Sequence, residues 1–397
     1  RSRGLGDVYK RQMKNYIPRT LEKSLTSVSP SRAYMLYGAR QVGKTSLLRH
    51  MLANQNVEWL TGESSTDRER LQFDTQQDLI DFLKAYKVIV IDEAQYVDGI
   101  GQSIKRMIDQ HSDSLIFLSG SSSLKLAKGV KESAVGRLDF MTLFPFSVEE
   151  LVNAKSWDWF RLNFERLLIA GSYPDVVNHF SDDIDSLAYR LLHYVNGVFL
   201  QDIYELGGIR KSSTLKHLLR LLATSVGSQI SYDGLARDTG LSKQTVVNYL
   251  DLLEQNFVIF KLDSFARNIA TELKKSKKIY FFDNGVRNAL LDKFSPLSRR
   301  DDGGALFENF VAAELYKQHS YRKDRTHLYF WRTAQGQEID FLEVKDDKVQ
   351  RAIECKLSKN AKVKSDTAFR NAYGVERTVV SPETFKDFYL KTFVPSA

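Results

Sequence analysis

An eight-residue segment near the start of the chain has the residue types and spacing of a phosphate-binding loop. Residues 38–45 read Gly-Ala-Arg-Gln-Val-Gly-Lys-Thr, which satisfies the pattern G-x-x-x-x-G-K-[ST]. The glycines let backbone N–H groups curl around phosphates, Lys44 can reach the β- and γ-phosphates, and Thr45 can hold Mg²⁺. The pattern therefore predicts a nucleotide site formed by Gly38, Ala39, Arg40, Gln41, Val42, Gly43, Lys44, Thr45 and Ser46.

Two acidic residues follow a second apolar segment. Val88 to Ile91 is a β-branched run typical of a buried parallel strand, and Asp92 and Glu93 come directly after it. A carboxylate at a strand end beside a phosphate loop can organise Mg²⁺, so we expect Asp92 to serve the metal. Glu93 is placed to polarise an attacking water.

Ser119 and Arg137 are further candidates for catalysis. Ser119 ends a third apolar strand, and its hydroxyl could contact the γ-phosphate or the water; a plain strand-to-helix turn is the alternative. Arg137 precedes another apolar strand and could sense the γ-phosphate in cis or reach a neighbouring subunit. A solvated surface arginine is the alternative for this residue.

Four charged residues near the C-terminus have the arrangement of a metal-dependent nuclease. Glu308 is predicted on a helix, Asp340 on a strand, and Glu354 with Lys356 on one face of the next strand. Such carboxylates hold Mg²⁺ at a scissile phosphate, while the lysine stabilises developing charge or the nucleophilic water. We expect the three carboxylates to cluster around one divalent metal with Lys356 beside it. An ordinary set of cross-strand ion pairs is the alternative.

The elements that position these residues indicate an α/β protein built from several modules. Residues 13–145 alternate strand-like and helix-like segments, as in a parallel P-loop sheet with helices on both faces. Residues 146–206 are predicted to form a helical lid packed on the nucleotide domain. A winged-helix segment is predicted over residues 207–291, and a C-terminal α/β domain over residues 300–397.

The winged-helix prediction depends on a helix-turn-helix pattern. Gly240 is a natural helix C-cap and Ser242 a natural N-cap, so two helices are expected around a tight turn. Lys243, Gln244 and Asn248 should face outward, where such residues reach the bases or phosphates of DNA. Many such folds dock proteins instead, so both kinds of partner stay open.

Composition bounds the class of protein. With 43% hydrophobic and 27% charged residues, the chain reads as soluble and globular. Its single cysteine, Cys355, excludes an internal disulfide and suits a reducing compartment. No secretory segment or long uncharged apolar run follows Met13, so we expect a cytoplasmic protein without a membrane partner.

The first residues carry a different signal. Residues 2–12 resemble the translation of a transposase sequencing-library adapter, so we interpret residues 1–12 as an artefact and expect the natural chain to begin at Met13. Residues 1–12 hold four basic side chains and one acidic side chain, a net charge of +3. The formal net charge of +8 therefore falls to +5, which only mildly favours a nucleic-acid partner.

Together these features resemble a bacterial and archaeal family of AAA-type P-loop ATPases with a C-terminal restriction-endonuclease-like domain, of the PD-(D/E)xK kind, whose role is unknown. The residues that carry the resemblance are Gly38–Thr45, Ile91–Gln95, Ser119–Ser122, Gly136–Arg137, Gly171–Pro174, Tyr280–Gly285, Phe307–Asn309, Phe330–Arg332, Glu338–Phe341 and Ile353–Lys356. The resemblance implies ATP and Mg²⁺ as ligands and a winged-helix segment in the middle of the chain.

We therefore expect an ATP-hydrolysing protein that couples nucleotide state to an action on DNA or on a partner. Two hypotheses differ about that action. In the first, the chain is an ATP-controlled nuclease that uses Glu308, Asp340, Glu354 and Lys356. In the second, it is a non-nucleolytic ATP-dependent switch that binds nucleic acid or protein. Assembly into a homo-oligomer would suit either hypothesis.

Overall fold

The chain folds into two compact units, Arg1–Ala154 and Lys155–Ala397. A computed structural model describes residues 16–110, 113–121, 136–200, 203–204, 212–265, 277–333, 335–363 and 365–393. The interpretation of residues 1–12 as an artefact lies outside these described residues.

The first unit is built on a five-stranded sheet in which all paired strands are parallel, in the order β2-β3-β4-β1-β5. Its strands are β1 (Ala33–Tyr37), β2 (Val57–Thr61), β3 (Val88–Asp92), β4 (Leu115–Gly120) and β5 (Leu138–Thr142). Its helices are α1 (Glu22–Leu25), α2 (Lys44–Met51), α3 (Ser65–Arg70), α4 (Gln76–Ala85), α5 (Ile100–Asp109) and α6 (Val148–Ala154). This confirms the α/β class and the parallel sheet predicted from the alternating pattern.

Burial on both faces explains why this sheet is parallel. Ile89 and Ile91 of β3 are fully buried on one face and pack in one apolar cluster with Ile104 and Met107 of α5. Because a parallel strand has helices on both sides, its sequence reads as a continuous apolar run, as that of β3 does. The carboxyl ends of β1, β3 and β4 consequently meet at one edge of the sheet.

The second unit contains a seven-stranded mixed sheet in the order β12-β11-β10-β9-β7-β8-β6. Its strands are β6 (Gln229–Ile230), β7 (Ile259–Ser264), β8 (Lys277–Phe281), β9 (His327–Arg332), β10 (Glu338–Lys345), β11 (Lys348–Cys355) and β12 (Arg377–Val380). Its helices are α7 (Trp157–Leu162), α8 (Phe164–Ala170), α9 (Pro174–Asn178), α10 (Ile184–Tyr194), α11 (Ser212–Thr224), α12 (Tyr232–Thr239), α13 (Lys243–Gln255), α14 (Asn284–Leu291), α15 (Gly303–Arg322), α16 (Thr367–Tyr373) and α17 (Phe385–Phe393). In the described ranges, no helix combines the length and apolarity needed to cross a membrane.

Parallel pairing of β7 with β9 joins the predicted winged-helix segment to the predicted C-terminal domain. Asp263 pairs with Tyr329, and Ser264 with Phe330. The two predicted modules therefore share one sheet. The elements of this segment follow in the order α11, β6, α12, α13, β7, β8, and the winged-helix designation stays a prediction.

The segment predicted as one helical lid, residues 146–206, is divided between the two units. Its first helix, α6, belongs to the first unit, because buried Glu150 pairs with Arg19 there. Helices α7 to α10 belong to the second unit. Asn288 of α14 donates hydrogen bonds to the carbonyl oxygens of Leu168 (3.2 Å) and Ile169 (2.8 Å) at the end of α8.

Asp283 closes the junction between α8 and α14. Its carboxylate accepts hydrogen bonds from the backbone N–H of Ser172 at 2.6 Å and of Val286 at 3.1 Å. The approach of the two segments is so close that a Cβ on Gly285 would lie 2.1 Å from the carbonyl oxygen of Ala170.

Gly285→Ala should therefore destabilise the second unit by about 1–3 kcal/mol, because a methyl group cannot fit against that backbone oxygen without displacing it. Gly304→Ala is the matched control, since nothing lies within 4 Å of the added Cβ. Its free energy of unfolding should be unchanged or higher by up to about 1 kcal/mol. Urea unfolding followed by circular dichroism compares the two; equal stability would contradict the packing described here.

Candidate functional site

The phosphate loop connects β1 to α2 and is shaped by close backbone approach. A Cβ on Gly38 would lie 2.1 Å from the carbonyl oxygen of Leu143, so only glycine fits there. Gly43, just before α2, has a φ of 96°, in the left-handed region that favours glycine. Lys44 is buried, and its ammonium lies 2.9 Å from the carbonyl oxygen of Gly38 and 3.0 Å from that of Ala39. The lysine is thus held inside the curve of the loop.

Asp92 lies at the carboxyl end of β3, beside the first turn of α2. The hydroxyl of Thr45 donates a hydrogen bond to its Oδ2 at 2.9 Å. Its Oδ1 accepts from the hydroxyl of Ser119 and, at 3.2 Å, from the backbone N–H of Glu93. The structure therefore brings together four predicted residues from three segments of the sheet edge. Hydroxyl and carboxylate oxygens of this kind are the ligands that Mg²⁺ takes in nucleotide sites, so the residues present fit this ion.

The side chain of Glu93 is held by a residue that sequence reasoning missed. Gln95 donates hydrogen bonds from its amide nitrogen to the carboxylate of Glu93 and, at 3.3 Å, to the hydroxyl of Ser121. Glu93 itself adopts a left-handed backbone conformation, with a φ of 48°. A polar amide two residues after the predicted water-orienting acid was the available signal.

Arg19 is a second residue that the sequence analysis missed. Its guanidinium donates to the carbonyl oxygens of Val42 in the loop (2.7 Å) and Phe144 after β5 (2.6 Å). Its Nε lies 3.0 Å from a carboxylate oxygen of Glu150, and both side chains are at most 2% exposed. The guanidinium also lies 4.7 Å from the centre of the Phe146 ring. This buried cation fixes the back of the phosphate loop, and no motif marks it.

The remaining residues that were predicted for the phosphate loop differ in their exposure to solvent. Ala39 and Val42 are buried, whereas Gln41 and Ser46 are exposed. Arg40 donates a hydrogen bond to the hydroxyl of Tyr96 at 2.9 Å.

The position of Arg137 does not suit its predicted role as a sensor of the γ-phosphate in cis. Leu138, the first residue of β5, pairs with Ala33, the first residue of β1, so Arg137 lies at the sheet edge opposite the loop. Its Nε lies 2.6 Å from Asp109 at the end of α5. A five-residue strand separates it from the phosphate loop. A role toward a neighbouring subunit stays a prediction.

In the second unit, Glu308 and Asp340 come together around a buried lysine of β8. The ammonium of Lys278 lies 2.6 Å from Glu338, 3.4 Å from Glu308 and 4.0 Å from Asp340, and its side chain is 2% exposed. Burial alone would lower the pKa of Lys278, but the three acids more than offset this and raise it above its ordinary value. Burial, together with the negative charge of Glu308, raises the pKa of Asp340 to about 7.

Glu354 and Lys356 lie next to this group, since the negative charge of Glu354 is among the causes that raise the pKa of Asp340. One carboxylate oxygen of Glu354 lies 2.7 Å from the ammonium of Lys356, and the other lies 2.5 Å from the guanidinium of Arg377. Lys356 therefore neutralises Glu354 directly. Within the part of the chain that the structure describes, no group of three or more histidine, cysteine or acidic side chains is arranged to hold a metal ion. Glu308 and Asp340 thus lie around Lys278, whereas Glu354 lies between Lys356 and Arg377.

Helix α13 contains the residues predicted to bind DNA or protein. The helix spans Lys243–Gln255, and the predicted N-cap, Ser242, accepts a hydrogen bond from the Thr245 N–H at 3.1 Å. Lys243 is exposed and pairs with Asp233 at 2.9 Å. Gln244 donates to Asn248 at 2.9 Å.

Comparison with known domain families finds three successive matches. The AAA domain matches residues 30–152, which include the phosphate loop and Asp92. Two domains of unknown function match the rest, DUF8612 over residues 161–297 and DUF4143 over residues 303–395. The first unit therefore contains an AAA-type P-loop ATPase domain, and a DUF4143 domain lies at the C-terminal end.

Two mycobacterial relatives and an archaeal relative are each described only as an uncharacterized protein. Relatives from Mycobacterium bovis and Mycobacterium tuberculosis are each 28% identical over 309 residues, which is 77% of this chain and 66% of theirs. A relative from Methanocaldococcus jannaschii is 26% identical over 365 residues, 86% of this chain and 79% of its own. Among solved structures, the Walker-type ATPase of Pyrococcus abyssi is similar over 70% of this chain and 97% of that chain, with 18% identity and a TM-score of 0.49.

Arg19→Lys should weaken nucleotide binding, because the single nitrogen of lysine keeps the charge but cannot span the carbonyl oxygens of Val42 and Phe144 as the planar guanidinium does. We expect the Kd for ATP to rise about tenfold, which corresponds to about 1.4 kcal/mol. Fluorescence titration with a labelled ATP analogue measures it. Arg32→Lys is the control, since Arg32 pairs with Asp139 at the opposite edge of the same sheet. An unchanged Kd in a folded Arg19→Lys protein would show that the loop does not depend on Arg19.

Proposed function

We propose that this chain binds and hydrolyses ATP and that its nucleotide state controls the binding of a partner. The observation that carries the proposal is the contact between Thr45 and Asp92, 2.9 Å apart at the edge of the parallel sheet. It places the acid at the end of β3 beside the loop that follows β1, where the loop carbonyls of Gly38 and Ala39 hold the ammonium of Lys44.

Each residue of the site has a role that follows from its chemistry. Lys44 and the N-terminus of α2 neutralise the phosphates, and Thr45 and Asp92 would hold Mg²⁺. When bound, Mg²⁺ withdraws negative charge from the transferring phosphate. Glu93, oriented by Gln95, accepts a hydrogen bond from the attacking water and aligns it. Ser119 keeps the Asp92 carboxylate turned toward the loop.

The two halves of this assignment can be separated by substitution. Lys44→Ala should abolish ATP binding, because the loop loses the lysine that reaches the β- and γ-phosphates. Glu93→Gln should bind ATP normally yet hydrolyse it about a hundredfold more slowly, since the amide cannot align water as the carboxylate does. Glu69→Gln, at an exposed position of α3, is the matched control.

Calorimetry measures ATP binding, and release of inorganic phosphate measures turnover. A Glu93→Gln protein with the turnover of the wild type would remove Glu93 from the mechanism. A Lys44→Ala protein that keeps its ATP affinity would overturn the proposal as a whole.

We favour a partner-binding switch over a DNA-directed nuclease for the second unit. Helices α12 and α13 carry two basic side chains and four acidic ones, a net charge of −2, and Asp233 pairs with the only basic residue of α13, Lys243. DNA-binding helices need a positive face for the phosphates. The basic residues Arg267, Lys274 and Lys275 between β7 and β8 lie outside the described residues, so DNA remains the alternative partner.

DNA affinity distinguishes the two partners. We expect the Kd for duplex DNA to exceed about 10 µM at physiological salt, with or without ATP, because the outward face of α13 lacks net positive charge. Fluorescence anisotropy with a labelled duplex, measured over a series of salt concentrations, tests this. Tight binding whose log–log salt slope falls by about one unit in Lys243→Ala would establish DNA as the partner instead. Gln229→Ala, an exposed change on β6, is the control.

A further inference from the structure

The acidic residues of the second unit already have a cation among them. Glu308 of α15 and Glu338 and Asp340 of β10 surround the ammonium of Lys278, which reaches them from β8. The ammonium lies 5.5 Å from the centre of the Phe330 ring on β9, so the lysine side chain extends from β8 toward β9. A lysine side chain that is 2% exposed is rarely found unless acids pair with it.

Each carboxylate that a metal would need is also engaged by another protein group. Glu308 accepts a hydrogen bond from the hydroxyl of Tyr280 at 2.7 Å. Asp340 accepts from the backbone N–H of Cys355 at 2.8 Å. Glu354 is bound on both oxygens, by Lys356 and by Arg377.

These contacts do not fit a divalent metal. Mg²⁺ takes oxygen ligands at about 2.1 Å in near-octahedral geometry and has a double positive charge. Such an ion would have to share the centre of the acidic group with an ammonium that already lies 2.6 Å from one of its acids. Two cations held among the same buried acids would repel each other strongly. The residues therefore fit one cation at this position, and Lys278 provides it.

We infer that Lys278 replaces a metal ion in this group, so that the C-terminal domain is a metal-independent module with a lysine-neutralised acidic centre. The inference goes beyond the proposed ATP chemistry and does not depend on it. It implies that the acids stabilise the join between β8, α15 and β10 and do not activate water for phosphodiester cleavage. It also implies that the group would accept a divalent cation once the lysine charge is removed.

Calorimetric titration with MnCl₂, in the absence of nucleotide, tests this inference on the full chain. Every arm carries Asp92→Asn, so that the acid of the ATP site does not contribute. With Lys278 intact, we expect no Mn²⁺ binding that Asp340→Asn alters. Lys278→Met should bind one Mn²⁺ at least tenfold more tightly than its control, Lys277→Met, in which the neighbouring lysine loses only its pair with Asp263.

The Mn²⁺ affinities of these proteins can support or contradict the inference. Gain of an Mn²⁺ site in Lys278→Met, and its loss when Asp340→Asn is added, supports the inference. A folded Lys278→Met protein that gains no Mn²⁺ affinity contradicts it. If Lys278→Met does not fold, the Lys278-intact protein with and without Asp340→Asn still decides: Mn²⁺ binding that Asp340→Asn abolishes would show a true metal site and overturn the inference.

Discussion

Compensation of buried charge is the constraint that joins distant parts of this chain. A charged side chain removed from water is costly unless an opposite charge and hydrogen bonds surround it. In the first unit, Arg19 meets this requirement with Glu150, and in doing so it fixes the phosphate loop to the end of the domain. In the second unit, Lys278 ties strand β8 to acids of α15 and β10. Each of these ion pairs thus links distant segments and also balances a buried charge.

The parts predicted correctly from sequence are those that one contiguous segment encodes. The phosphate loop, the apolar strand that leads to Asp92 and the N-cap of α13 all follow from short patterns whose meaning is local. The meeting of Thr45 with Asp92 could also be predicted, because carboxyl ends of parallel strands share an edge. The same rule could have predicted the position of Arg137, because a residue that precedes a parallel strand lies at the sheet edge opposite the phosphate loop.

The parts that could not be predicted depend on pairing across long stretches of sequence. Nothing local marks Arg19, whose partner Glu150 lies 131 positions later. The parallel pairing of β7 with β9 joins segments that alternation of apolar and polar residues describes separately, so two modules were predicted where one sheet exists. Lys278 reads as one of two adjacent strand lysines, and only the fold shows that it is buried while Lys277 is partly exposed.

The acidic residues of the two units differ in the partners that surround them. In the described residues, Asp92 is contacted by hydroxyls and a backbone N–H, which orient the carboxylate without cancelling its charge. Such a group retains its affinity for a divalent cation that arrives with a nucleotide. Glu308 and Asp340 instead face an ammonium. The neutral partners of Asp92 leave its charge available to a cation, whereas the ammonium of Lys278 already balances the acids around it.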